Sequence, residues 1–581
     1  MSIIKLAAFT GESPRTTPRL LPDTGAQVAQ SVRLEDGELA PYRKPYPIEV
    51  LTGAVAGKVK TIYRHLGKWL WWDKVVHAVP GPVAQDRLYY TGDGKPKMRV
   101  NGVVYDLKLT PPAAALTGAV TGTVVPATSA TRLYVYTRVT QFGEESEPSP
   151  ISADIVVSPG NTVTLSGFTS APAGRGFTKQ RIYRSQTGTS GGANLYFIAE
   201  RDDSAANFTD NIPTDAFNEA LPSLDWNPPP DNLQGLVAMP NGIMVGYVGK
   251  DLYFCEPYRP HAWPVKYSLA TNYDITGLAV SGSTLIVGTK GTPALVGGNS
   301  PDTMTMEHVE LSMPCLNAQG MVDMGYAILY PSNDGLVMVQ GGTPNLISGP
   351  LLTRDQWQRL NPATMVCGQF YGRFYASYSY TDNNGDQQQG TIIFDITGSQ
   401  PYLIRSQHRA DAMFYDVTDS RLYMAIGNTV YEWDSLLADN DIMTYRSKAF
   451  LSSMPTSFGV ILVEADARTD PDALVAAQAA RDAVAAFNAA IFASRKLGAA
   501  LNSGPLNTIL VNGDRLKAMP RGPQMAVNVY ADDEFVATVT TIADTERLPA
   551  VLARQWEVEV TGNIDIQEIT MAGTAQELRG A

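Results

Sequence analysis

Ser190 sits in GTSGG (Gly188–Gly192), and a serine hydroxyl is a nucleophile only where it is activated. That chemistry also needs a histidine base and an orienting carboxylate around it. The flanking runs KQRIYRS and NLYFIAE read instead as two strands, so the stretch is expected to be a glycine-rich hairpin loop. GAVAGKVK (Gly53–Lys60) is one residue short of a phosphate-binding loop. Val59 stands where a hydroxyl would have to meet magnesium, and no helical pattern follows to present its N-terminus. DNNGDQQQG (Asp382–Gly390) offers oxygen donors but lacks the order and terminal Glu of a calcium loop; it suits a hairpin tip. His65, His77, His261, His308 and His408 stand at no metal-ligand spacing from one another or from a cysteine. Cys255, Cys315 and Cys367 show no paired spacing and fall in strand-like runs, as small buried residues do. No catalytic residue, metal or cofactor is expected. A carboxylate pair for glycan cleavage is defined by a distance in space, so that reading stays open.

The elements that would position any site form a repeat. Between Gly235 and Asp434 three strand-like runs recur five times. The first runs are GLVAM, GLAVS, GMVDM, VCGQF and DAMFY; the second GIMVGYVG, STLIVGTK, YAILYPSN, RFYASYSY and RLYMAIGN; the third DLYFCE, PALVGG, GLVMVQGG, TIIFDIT and TVYEWD. Their starts lie roughly 40–47 residues apart, the period of propeller blades. A blade cannot bury both faces alone and must stack on neighbours. KTIYRHL, KWLWWDK, DRLYYTGDG and PKMRVNG, from Lys60, read as a sixth blade in which Trp69, Trp71 and Trp72 occupy the second strand.

The expected fold class is therefore all-β. Residues 1–59 form an extended arm, with a short helical turn between Asp23 and Val32; residues 60–110 form the first blade; residues 223–440 form the other five of a six-bladed propeller-like core. Residues 111–222 form an inserted β-sandwich, in which YVYTRVTQFGEESEPSP is similar to the strand and loop of fibronectin type III domains. WNPPPDN (Trp226–Asn232) is a stiff linker back into the ring. Residues 441–581 form a β-domain carrying an Ala-rich helix at about 471–498, with Asp470 as cap, Pro471 at its first position, Val484, Phe487 and Ile491 at helical spacing, and Gly498 as its end. Asp532–Asp533 should make a hairpin turn.

The formal net charge of −12 argues against a protein that grips nucleic acid, because phosphate binding is dominated by Lys and Arg. It suits a surface that DNA slides past. The first residues lack the apolar core of a signal peptide, and no apolar run has the length to span a bilayer.

Two phrases carry a family resemblance. PRLLPDTGAQVAQSVRLEDGELAPYRKP resembles the start of tail proteins from short-tailed (podovirus-like) bacteriophages, and LYFCEPYRPHAWP (Leu252–Pro264) resembles a blade loop of that family. The motif falls on Glu256, Pro257, Pro260, His261, Ala262, Trp263 and Pro264. The order of parts is similar to the tail nozzle, or tail tubular protein B. The resemblance implies a non-enzymatic virion protein forming a homo-oligomeric, typically hexameric, ring below the portal and adaptor. Double-stranded DNA would leave through its channel, and the inserted sandwich would point toward tail fibres or spikes. A receptor-binding tail module and a virion-borne glycan hydrolase are the alternative readings.

Overall fold

The computed structural model describes residues 3–187, 193–213, 219–396, 398, 400–466, 468–494 and 516–579. It divides into two compact units: Gly53–Asn345, and Met1–Thr52 with Leu346–Ala581. Both are built from largely antiparallel sheets, and the all-β class holds.

The unit Gly53–Asn345 contains four four-stranded meanders in which each strand pairs with the next in sequence. The first comprises His77–Pro80, Arg87–Thr91, Lys97–Val100 and Val103–Asp106. The second comprises Gln234–Met239, Ile243–Val248, Asp251–Phe254 and Leu269–Ala270. The third begins at Ile275–Ser281 and the fourth at Val322–Asp323. Side chains alternate across a strand, so one strand can serve two cores. Met244 joins Tyr89 and Met98 of the first meander, while Ile243, Val245 and Tyr247 join Leu285 and Val287 of the third. Ala279 and Ile286 of the third pack in turn against Ile328 and Tyr330 of the fourth. The four sheets thus stack face on face, each sharing a core with its neighbour, as propeller blades do.

The first blade differs from expectation. Thr61–His65 and Lys68–Trp72 pair only with each other, as a separate two-stranded sheet. Leu66 and Gly67, with φ of 50° and 74°, close a two-residue turn that completes the hairpin locally. The sheet itself starts at His77, and Val103–Asp106 is its fourth strand. Trp72 then meets the first meander from outside, its ring 5.4 Å from that of Tyr90.

Within the inserted sandwich, Thr117–Thr121, Thr162–Ser166 and Phe208–Asp210 form one sheet, and Tyr134–Thr140, Phe177–Thr187 and Ala193–Asp202 another. They share a core that includes Tyr134, Tyr136, Val163, Leu165, Phe168 and Ile182. The free edge of Tyr134–Thr140 is closed by serines spaced three apart. Ser146, Ser149 and Ser152 each donate a backbone N–H to the carbonyl oxygens of Arg138, Tyr136 and Tyr134. Each hydroxyl oxygen accepts the N–H of the same residue, at 3.0, 3.2 and 3.0 Å. GEESEPSP is thereby a strand substitute rather than a loop left in solvent, which satisfies the edge groups that sheets must otherwise manage. The GTSGG stretch lies outside the described residues. GAVAGKVK makes a turn that runs into the strand Thr61–His65, so no helix N-terminus stands there for a phosphate.

The second unit holds two further meanders. Val366–Phe370, Arg373–Thr381, Gln387–Asp395 and Tyr402–Ser406 form one. Asp382 caps its hairpin tip by accepting the N–H groups of Asn384 and Asp386. Ala412–Asp416, Arg421–Ile426 and Thr429–Glu432 form the other, and its fourth strand is Tyr46–Val50 from the start of the chain.

The N-terminal arm is therefore corrected to structural strands. Ala26–Gln30 is extended, not helical; it pairs antiparallel with Met443–Ser447 and touches Tyr402–Ser406 through Gln30 and Arg405. It joins a meander to the C-terminal strands Ala553–Gly562, Met525–Ala531 and Glu534–Val539 in one sheet. A second sheet of Ile3–Leu6, Ile566–Ala572, Val460–Ala465 and Thr545–Arg547 shares its core through Leu6, Ile461, Val463, Ile569, Val527 and Val558. The helix Pro471–Ser494 starts as expected, the Asp470 carboxylate accepting the Asp472 N–H at 3.0 Å. Leu497 and Gly498 lie outside the described residues. Its buried side chains are Leu474, Arg481 and Ile491, whereas Phe487 is exposed. Arg481 reaches the Pro523 carbonyl and the Asn488 amide binds Lys517, which turns that face inward. Asp532 and Asp533, with φ of 45° and 67°, make the expected hairpin turn.

Candidate functional site

EPYRPHAWP leaves the third strand of the second meander, and backbone bonds fold it into a closed knot. The N–H of Glu256 donates to the Ala262 carbonyl at 2.8 Å, that of Ala262 to Arg259 at 2.9 Å, and that of Arg259 back to Glu256 at 2.9 Å. Tyr258 takes a left-handed conformation (φ 56°) and donates its N–H to Gly242. Gly242 must be glycine: its φ is 71°, and an added Cβ would lie 2.6 Å from the Tyr258 ring.

All seven motif residues come together in this knot. Trp263, 1% exposed, enters the core between the first two meanders beside Tyr89, Met98 and Met244. Its indole N–H donates to the Pro260 carbonyl at 2.8 Å and its backbone N–H to Asn227 at 2.7 Å. The Glu256 carboxylate accepts the Tyr267 hydroxyl at 3.0 Å. Burial and then that carboxylate push the Tyr267 hydroxyl up to about 12. His261, 2% exposed, meets the Trp226 ring edge-on at 5.7 Å, and the Arg259 guanidinium lies over the same ring.

Partners that the sequence reading did not connect come from the sandwich and the linker. Glu144, the first acid of GEESEPSP, accepts from Arg175 at 2.7 Å and from the Thr140 hydroxyl at 3.2 Å. Arg87 stands 3.9 Å and the His261 ring nitrogen 4.0 Å from its other oxygen. Asn227, inside the Pro-rich linker, donates to Glu147 at 2.5 Å and accepts from the Val265 N–H. The two stretches are far apart in the sequence, and their meeting is a property of the fold. The motif is a bolt between blade and sandwich.

Burial pushes the His261 imidazole down to about 4, and Arg175 and Arg259 add to that against Glu144. The folded protein therefore resists a proton that the unfolded chain accepts near 6.5. The His261 contribution to stability should be constant above pH 6.5 and decline as pH falls from 6.5 to 4, by on the order of 3 kcal/mol. Urea unfolding across that range checks this. His261→Gln should make the slope shallower, the remainder coming from His77, whose imidazole is also pushed down by burial to about 4; an unchanged slope would assign the whole loss to other groups.

Of the buried carboxylates near this junction, Glu144 is hydrogen-bonded through one oxygen, its Oε1 facing Arg87 and His261 without a hydrogen bond, and Glu145 through both. Glu145 accepts from Thr137 at 2.7 Å, Tyr183 at 2.6 Å and Arg181 at 2.9 Å. Among the described residues no group of His, Cys, Asp and Glu is placed to hold a metal. Cys255, Cys315 and Cys367 are buried thiols, and the Cys255 sulfur accepts the Met244 N–H. Burial pushes the Cys255 and Cys315 thiols up to about 12, which suits small core residues rather than nucleophiles.

No family model and no curated protein matches the chain. Solved structures to which it is similar include the extracellular domain of a one-component system from B. thetaiotaomicron, at 7% identity and TM-score 0.23, covering 93% of this chain and 60% of that one. An exo-beta-1,3-galactanase from Phanerochaete chrysosporium matches at 8% identity and TM-score 0.21, covering 76% of this chain and 100% of that one. PorZ, a surface component of the type-IX secretion system of Porphyromonas gingivalis, matches at 10% identity and TM-score 0.25, covering 90% and 77%. At such superposition these likenesses bear on neither site nor activity; the architecture rests on the strand pairing itself.

Proposed function

We propose that the chain is a non-catalytic structural subunit of a short-tailed bacteriophage tail, of the nozzle or tail tubular protein B kind. The observation that supports this most is how the resembling motif is used. Trp263 fills a core, Glu256 and Asn227 tie loops, and His261 lies shut behind Trp226. Side chains that serve a substrate would line an open cleft instead.

In this reading six blades close a propeller, and copies of the chain pack head-to-tail into a ring, six by resemblance, below the portal and adaptor. The net charge of −12 fits a lumen that repels DNA and lets it pass. Tail fibres or spikes would join from outside. Mass photometry and negative-stain microscopy of the full chain, with and without its adaptor, test the reading. The expected result is a ring with an axial pore and no release of sugars from capsular polysaccharide. A strict monomer under both conditions would sink it.

A further inference from the structure

One end of the inserted sandwich opens into a cleft of about 780 Å³, a size typical of small-molecule sites. Its walls are part polar and part apolar, with Thr131, Arg132, Asn161, Gln186 and Asn211 supplying polar groups. At its base two guanidiniums share one carboxylate. Arg184 and Asp210, both fully buried, meet at 2.9 Å, and Arg184 also donates to the carbonyls of Ile212 and Pro213. Asp210 further accepts the Tyr134 hydroxyl at 2.7 Å and the Ile212 N–H at 3.0 Å. Arg132, at a longer 3.4 Å, is a second cation on a carboxylate already well supplied with donors.

One positive charge is left over in this group, and it falls to Arg132, whose side chain keeps 11% of its surface exposed while that of Arg184 keeps none. In the same wall Gln186 is 8% exposed, and neither of its amide atoms has a partner. A buried amide is almost always bonded, so this one marks unused hydrogen-bonding capacity. A leftover guanidinium beside an unused donor and acceptor matches a ligand with one carboxylate and several hydroxyls.

We infer that this cleft binds a carboxylated sugar residue of the uronic- or sialic-acid kind. The carboxylate pairs with Arg132, and ring hydroxyls or an acetamido group exchange hydrogen bonds with Gln186 and the Asn161–Asn211 rim. No aromatic side chain stands among the described lining residues, so stacking contributes nothing and affinity should be weak, with Kd on the order of 1 mM. The inference does not depend on the nozzle reading: a ring subunit or a monomer can equally carry the cleft.

Titration of the full chain, followed by saturation-transfer NMR, tests it with four probes: glucuronate, N-acetylneuraminate, glucose and acetate. One of the two acidic sugars should saturate at millimolar concentration, with glucose and acetate about tenfold weaker or worse. Arg132→Met should remove binding and Arg132→Lys retain part of it, because the charge persists without the planar fork. Gln186→Leu keeps Arg132 and should narrow the preference for the sugar over acetate; it carries the test if Arg132→Met fails to fold. Equal binding of glucose, equal binding of acetate, or no saturation by about 50 mM of either acid would each overturn the assignment.

Discussion

Deletion of residues 3–50 should leave the Leu346–Ala581 part of the chain without a stable fold. The deleted stretch supplies strands to three sheets: Ile3–Leu6 beside Ile566–Ala572, Ala26–Gln30 between Met443–Ser447 and Tyr402–Ser406, and Tyr46–Val50 beside Thr429–Glu432. It also takes Leu6, Phe9, Val32, Leu34, Leu39 and Tyr42 out of the core. At about 1.5–3 kcal/mol for each buried side chain, the loss is roughly 10–20 kcal/mol, as large as the whole stability of an ordinary domain. The charges left behind make it worse. Arg405 would lose the buried Glu12 carboxylate at 2.8 Å, and Arg373 would lose Glu35 and keep only Asp395. The measurement is limited proteolysis with a thermal melt of the truncated chain. Rapid cleavage throughout residues 346–579 is expected, with the share of the melt that belongs to that unit lost while the Gly53–Asn345 unit keeps its own transition. A protease-resistant fragment of that span, melting as in the full chain, would return the N-terminal residues to the status of an arm.

That outcome bears on what the sequence could reveal. The five three-strand runs from Gly235 were legible because both faces of an inner strand are covered, which writes an apolar run such as Ile243–Tyr247 directly into the chain. Their fourth strands were not. Leu269–Ala270 has two residues, and Tyr46–Val50 lies some 380 residues from its partner, so neither leaves a local pattern. Arm and strand also look alike when prolines interrupt a segment: Ala26–Gln30 is short, half polar and identified only by the two edges it joins. The Trp-rich hairpin misled for the opposite reason. KWLWWDK has the composition of an inner blade strand, but the Leu66–Gly67 turn pairs it with Thr61–His65 and leaves it no other place. The serines of SEPSPIS were in view as a loop; their pairing with Tyr134–Thr140 depends on which backbone groups of that strand are left unpaired. The site followed the same rule: the seven-residue motif was legible, whereas Glu144, Arg175 and Asn227 reach it from more than 30 residues away.

Trp263→Ala should be the most damaging single substitution in the Gly53–Asn345 unit, at about 3–5 kcal/mol. Its indole lies among side chains from two meanders, with Val79, Tyr89 and Met98 on one and Leu236 and Met244 on the other. Those sheets are held by their own backbone ladders and cannot close over a void of indole size. The Pro260 carbonyl would also lose its donor, and the turn that carries His261 would lose its anchor. Trp263→Phe helps to separate the two effects: it keeps most of the volume, gives up the N–H and part of the second ring, and should cost about 1–3 kcal/mol. Because the chain has more than one unit, a single unfolding midpoint blurs the result. Hydrogen exchange of the amides in Arg87–Thr91 and Ile243–Val248 reads it locally. The same pair of variants weighs the structural reading of the motif against a ligand-binding one. A tryptophan kept for a ligand could be removed within about 0.5 kcal/mol of wild-type stability, whereas a core residue cannot. Faster exchange in both strands, graded from Phe to Ala, is the expected pattern; unchanged exchange would mean the loop is held for something it binds.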